Sequence, residues 1–242
     1  MQTWQRRLLG LFVAAVVVCG LVYAMRIREG EAQRRNCAAS LAQVGIALHN
    51  YHTAIGTFPP ARTLAKDGTP FHSWRGQIYP YLEQTAVRYP LWQDEPWNSE
   101  KNKQATEIAC VPYHHFPQTP ENQNHTSIVA VVGEGYVFEE NRTTRLKDIT
   151  DDASSTILII AAPETGIPWA EPRDFSREEF LERFQNRQLG WPSHGFIAAF
   201  ADGTTRLIPY ETPIQQIEAM LTIAGGEKVD PAARGESVRY RY

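Results

Sequence analysis

Cys37-Ala38-Ala39-Ser40-Leu41-Ala42-Gln43-Val44-Gly45-Ile46-Ala47-Leu48-His49-Asn50-Tyr51 is the stretch on which the fold turns. Cys37, Leu41, Val44, Leu48 and Tyr51 recur at steps of four, three, four and three, which places them on one face of an α-helix. Gln43 and Asn50 fall away from that face, as does His52 just beyond it. A stripe of this kind has to be covered, so the reading predicts an amphipathic helix laid on a globular domain. Gly56 and then Pro59-Pro60 stop it.

Upstream, Leu8 to Met25 (LLGLFVAAVVVCGLVYAM) is an apolar run without a charged side chain. As a helix, at about 1.5 Å per residue, it covers roughly 27 Å, close to the ~30 Å hydrocarbon core of a bilayer. Arg6 and Arg7 flank it before, Arg26 and Arg28 after. The preferred reading is a single-pass anchor. A cleaved signal peptide is the alternative, with Arg6 and Arg7 as its basic start and Val22-Tyr23-Ala24 as the cut. A lipoprotein fits less well, because Cys19 follows three valines. The expected organisation is a short tail over 1–7, a transmembrane helix over 8–25, an amphipathic stalk over 26–55 and an exported globular domain over 56–242. The two segments of helix run together as one, with Gly30 and Gly45 as places where it can bend. The arginines after the run favour a cytoplasmic C-terminal side, whereas long domains translocate largely regardless of charge. Export to the periplasm or cell surface is the expectation.

The chain carries −3 in total, and residues 1–35 hold six basic and two acidic side chains, so residues 36–242 carry −7. A mildly acidic domain has no electrostatic footprint for nucleic acid. Of the three cysteines, Cys19 lies in the apolar run. Cys37 and Cys110 are the pair left in the exported part. In an oxidising compartment a Cys37–Cys110 disulfide ties stalk to domain; two buried free thiols are the other reading, and both stay open.

Downstream elements are short. A helical segment starts near Ser73. Thr126–Val132 and Thr156–Ala161 are β-branched runs that read as strands. Ser176 with Glu179 opens a helix that presents Phe180, Leu181 and Phe184. Ile197–Ala201 and Thr204–Ile208 flank Asp202-Gly203, the signature of an antiparallel hairpin with a type I′ turn, with Phe200 and Leu207 facing the core. Thr212, Pro213 and Gln215 open a last helix, ended by Gly225-Gly226. The fold class expected is α+β, with one long N-terminal helix packed on a small antiparallel sheet in two layers.

Catalytic signals are thin. His194 with Asp202, and His72 beside them, is the best base-and-orienter constellation, yet no nucleophile motif accompanies it. Asp148, Asp151 and Asp152 lack the spacing of a calcium loop. His114-His115 and His125 have no carboxylate or cysteine at ligand spacing. No metal, cofactor or catalytic residue is therefore assigned. Trp74, Trp97, Trp169 and Trp191 stand near Pro and Gly, where aromatics either line a ligand groove or staple loops to a core.

Cys37 to His52 resembles the stalk motif CxNNLKQIGLALHNYH, which opens the family known as domain of unknown function 1559 (DUF1559), typical of planctomycetes. The resemblance continues through Gly56-Thr57-Phe58-Pro59-Pro60-Ala61, His72-Ser73-Trp74-Arg75, Pro80-Tyr81-Leu82-Glu83-Gln84, Asp94–Ser99, Cys110-Val111-Pro112, Asp148–Asp151, His194 with Asp202-Gly203, and Gly225-Gly226-Glu227. Seven residues separate His194 from Asp202, where the family's H-x9-DG signature has nine. The resemblance implies a fold similar to type IV pilins and type II secretion pseudopilins, and no established reaction. It implies a non-catalytic structural or interaction protein of the cell envelope or a secretion-type assembly, with the membrane and envelope proteins as partners. A tethered carbohydrate- or peptide-binding domain is the alternative, and a hydrolase using His194 a third. The chain lacks the prepilin cut site and has no glutamate before Glu29. It is thus not expected to polymerise as a major pilus subunit.

Overall fold

The computed structural model describes residues 2–83, 89–108, 110–113, 119, 121–140, 142–190 and 194–238, with backbone alone at 2–16, 26, 27 and 111. Helix α1 (Gln2–Ile55) is continuous. It is helical from Gln2, so the short tail expected over residues 1–7 is part of the helix. It ends where expected: Gly56 adopts φ +91° and its N–H reaches the His52 carbonyl at 2.7 Å. That left-handed cap suits a residue without a Cβ. Among the described residues no helix is long and apolar enough to cross a membrane. The side chains of the first half of the expected span, Leu8–Val16, lie outside the described residues.

Strands β1 (Arg62–Leu64) and β2 (Pro70–Ser73) form an antiparallel pair. Ser73 then caps α2 (Trp74–Ile78), accepting the Gly76 N–H at 3.2 Å. A short α3 (Lys103–Thr106) follows. The main sheet comprises β3 (Ile128–Val129), β5 (Ile157–Ala161), β7 (Gly195–Phe200), β8 (Thr205–Pro209) and β9 (Glu236–Ser237), antiparallel throughout in that order. A separate parallel pair joins β4 (Val131–Val132) to β6 (Phe175–Ser176). The single strand expected over Thr126–Val132 is thus broken at Ala130, whose N–H turns away to a carboxylate, that of Asp174, at 2.8 Å.

Helix α1 lies across β5, β7 and β8. Cys37, Leu41, Val44 and Leu48 are fully covered there, together with Ile159, Ile197, Ala199 and Leu207. The opposite face of the sheet is covered too. Phe196, Ala198, Phe200 and Ile208 pack with Phe180 and Phe184 of α4 (Arg177–Gln185) and Ile217 of α5 (Ile214–Ala219). The sheet is therefore the middle of three layers, not one of two. Strand β7 is buried along its whole length, and a strand buried on both faces reads as an unbroken apolar run. Phe200 and Leu207 both lie inside, but on opposite faces: Leu207 meets the stalk, Phe200 the far helices.

The hairpin forms at Asp202-Gly203 with a different turn. Gly203 has φ +84°, whereas Asp202 does not have positive φ. The Gly203 N–H bonds to the Phe200 carbonyl at 2.9 Å, and the Phe200 N–H to the Thr204 carbonyl at 2.9 Å. This is a three-residue loop closed by a left-handed glycine, in place of type I′. The Asp202 carboxylate clasps the turn, accepting the Thr204 N–H at 2.8 Å and its hydroxyl at 2.7 Å. Helix α5 ends at Ala219, before the glycines expected to stop it. The Gly225 and Gly226 amides instead hold Asp151, at 2.9 and 3.0 Å.

Candidate functional site

The most elaborate polar assembly is the ion pair Arg75–Asp174, whose side chains are 0 and 2% exposed. Ser73 starts α2, and α2 carries Arg75 into the core. There Arg75 Nη1 meets Asp174 Oδ1 at 2.7 Å. Its Nε donates to the Trp169 carbonyl at 2.7 Å, and Nη2 to the carbonyls of Arg173 at 2.7 Å and Glu171 at 3.1 Å. Asp174 also accepts from the Trp74 indole at 3.1 Å and the Ala130 amide. Burial pushes the Asp174 carboxyl above its ordinary pKa, against the pull of Arg75 and these donors. A guanidinium with this many fixed acceptors is a structural clasp: it holds the strap 169–175 against α2 and leaves no donor free for a ligand.

Above the clasp lies an open cleft of about 920 Å³ between β1, β4 and the strap. Trp97 lines one wall, half-buried, with Pro70 and Pro172. Glu134, Glu139, Glu140 and Glu171 outnumber Arg62 and Arg173. Arg62 pairs with Glu140, and Glu139 with Arg142 at 2.9 Å. Glu134 and Glu171 have no ion partner among the described residues. The cleft thus offers an aromatic face and unpaired carboxylates.

The residues singled out in the sequence are scattered. His194 is exposed just before β7, and its carbonyl accepts the Tyr210 N–H at 3.1 Å. Asp202 follows the other end of β7. The strand's length, at about 3.3 Å per residue, separates them by roughly 20 Å, so no His194–Asp202 pair exists. The hairpin tip instead neighbours the stalk. The charge of Asp202 favours protonated His49, but burial and then His52 outweigh it and hold the imidazole below its usual pKa. His52 Nε2 accepts the Leu146 N–H at 3.1 Å, tying the loop before Asp148 to the helix end. His72 is buried, with neither ring nitrogen hydrogen-bonded. Burial lowers its pKa, the nearby carbonyls of Glu95 and Gln93 pulling the other way without closing a bond.

Cys37 and Cys110 are both free and buried within one core cluster. Burial pushes both thiols well above the usual cysteine pKa, which disfavours the reactive thiolate. Asp148 pairs with Arg145 at 2.9 Å, Asp151 holds the glycine amides, and Asp152 pairs with Arg234 at 2.9 Å. Among the described residues no group of three or more His, Cys, Asp or Glu is placed to hold a metal. Trp74 and Trp169 are fully buried staples, leaving Trp97 at the cleft. His114, His115 and Trp191 lie outside the described residues. Asp174 was not legible as a partner: it stands 99 residues from Arg75, in a loop without a motif.

These features define an α+β protein with a long helix across an antiparallel sheet. A family model described as protein of unknown function (DUF1559) matches residues 26–128, which supports membership of that family. No curated protein matches the chain significantly, and neither does any solved structure.

Proposed function

We propose that this chain is a membrane-anchored, non-catalytic, pilin-like structural or interaction protein of the cell envelope or a secretion-type assembly, with its globular domain exported. The observation that carries the reading is the division of α1. Its C-terminal part is buried on the sheet, whereas Val17, Val18, Leu21, Val22, Tyr23 and Met25 stand 47–69% exposed. Contiguous apolar side chains on a bare helix call for a lipid or protein environment. The helix-on-sheet arrangement supports the likeness to pilins, and a buried clasp in place of an open polar constellation supports a structural role. A C-terminal fusion to a phosphatase that is active only outside the cytoplasm tests the orientation. Activity is the expected result, and an inactive, stably made fusion contradicts export.

One observation favours a second reading, a tethered carbohydrate- or peptide-binding domain: the cleft lined by Trp97 and unpaired glutamates. Trp97→Ala abolishing retention on immobilised glycans or basic peptides, with the fold intact, would favour it over the first.

A further inference from the structure

The end of the stalk holds the loop 142–148 at two points. The Phe58 N–H donates to the Thr144 carbonyl at 2.8 Å, and the Leu146 N–H to His52 Nε2 at 3.1 Å. Leu146 opens a 3₁₀ turn, Leu146–Asp148. Arg145, Lys147 and Asp148 line an open cleft of about 740 Å³, shared with Thr57 and the segment 222–225.

The two ties differ in chemistry. Neither partner of the first titrates. The second uses an imidazole nitrogen as acceptor, which it can be only while unprotonated, so the neutral ring carries its proton on Nδ1. The charged groups around His52 are cations or carboxylates already engaged. His49 stands one turn earlier on α1, and a charge on His52 opposes one on His49. Asp202, from the hairpin tip, is held by Thr204 and pairs with Arg206 at 3.9 Å. On the loop itself, Asp148 accepts Arg145 through both oxygens, and Lys147 has no ion partner among the described residues. A proton on Nε2 thus removes the acceptor of the Leu146 N–H. It also adds a positive charge next to a loop that carries Arg145 and Lys147. Both changes act in one direction.

We propose that His52 is an acid-released latch on the loop 142–148. Neutral, it holds the Leu146 turn against the stalk end. On taking a proton from water at Nε2 it becomes a donor at both nitrogens, the Leu146 N–H loses its partner, and the turn lifts from the stalk. The Thr144–Phe58 bond stays closed and serves as the hinge. The inference is independent of membrane anchoring and of the cleft beside Trp97.

Amide hydrogen exchange of the full chain in detergent tests it, read in the loop 142–148 at about pH 7.5 and about pH 5, either side of the ordinary imidazole value of ~6.5. Each variant is compared with His52→Ala at the same pH, which cancels the intrinsic effect of pH on exchange. The parent should exchange about fivefold more slowly than His52→Ala at the higher pH, the worth of one hydrogen bond, and equally fast at the lower. His52→Gln, whose amide does not titrate, should keep one ratio to His52→Ala at both. His49→Gln should respond to pH as the parent does. Imidazole nitrogen NMR should find the neutral ring of His52 protonated on Nδ1. A parent-to-alanine ratio that does not change with pH, a response lost in His49→Gln, or a neutral ring protonated on Nε2 overturns the proposal.

Discussion

The two ends of the described part of α1 share one backbone and have opposite surroundings. From Cys37 to Leu48 the stripe residues Cys37, Leu41, Val44 and Leu48 are 2% exposed or less; from Val17 to Met25 the large apolar side chains are about half exposed or more. Helix propensity does not distinguish them, since both segments are rich in Ala, Val and Leu. Patterning does. Beyond Cys37 the polar residues interrupt the apolar ones with helical period, so one face meets the sheet and the other water. Before Arg26 the run is apolar all round, the pattern of a helix surrounded by hydrocarbon or protein. The same element thus serves as core on one side of Arg26–Asn36 and as a surface seeking cover on the other.

The comparison breaks most visibly in the domain that supports the lower half. Asp174→Ala leaves Arg75 charged and buried without its counter-ion. It should cost about 3–5 kcal/mol in urea unfolding of the detergent-solubilised chain, enough to unfold a marginal domain. Leu48→Ala should cost about 2–5 kcal/mol by opening a cavity under the stripe. Leu21→Ala, in the upper half, should change the same midpoint by less than about 0.5 kcal/mol. Equal losses at Leu21 and Leu48 would dissolve the distinction between the halves. At the hairpin tip beside His49, Gly203→Val has open space for its side chain, so its cost is the left-handed backbone alone, about 1–2 kcal/mol.

A smaller effect follows from pH. His49 and His72 both have folded pKa values below their ordinary value, through burial first. Near neutrality both are uncharged in either state. As pH falls below about 6.5 the unfolded chain takes up protons that the folded chain resists. Stability is therefore full above that point and declines as pH falls through the folded values. The urea midpoint should drop between pH 7.5 and pH 5, and His72→Leu should flatten part of the drop. A profile unchanged in His72→Leu would place the sensitivity elsewhere.

Much of the frame was legible because it rests on local rules. The stripe and Gly56 located the covered part of α1 and its end. The apolar runs Thr156–Ala161 and Ile197–Ala201 read as strands, and Asp202-Gly203 as the hairpin. The third layer was missed although β7 advertises it: Gly-Phe-Ile-Ala-Ala-Phe does not alternate, which is how a strand covered on both faces reads. The turn type was missed because Asp-Gly serves two hairpin geometries, and neighbouring contacts choose between them. Of the polar sites, the clasp was not legible. Arg75 and Asp174 meet only through tertiary structure. The attractive His194–Asp202 pair failed for the opposite reason. Residues close in sequence are held apart when the intervening chain is a strand.

Anchoring of the mature chain in a membrane by the upper half of α1, as proposed above, can be measured in membranes of the native cells washed in alkaline carbonate, with the retained chain read by intact mass. The chain is expected to stay in the pellet with Leu8–Met25 attached. Recovery in the wash, or a mature chain that begins at or after Met25, would contradict it.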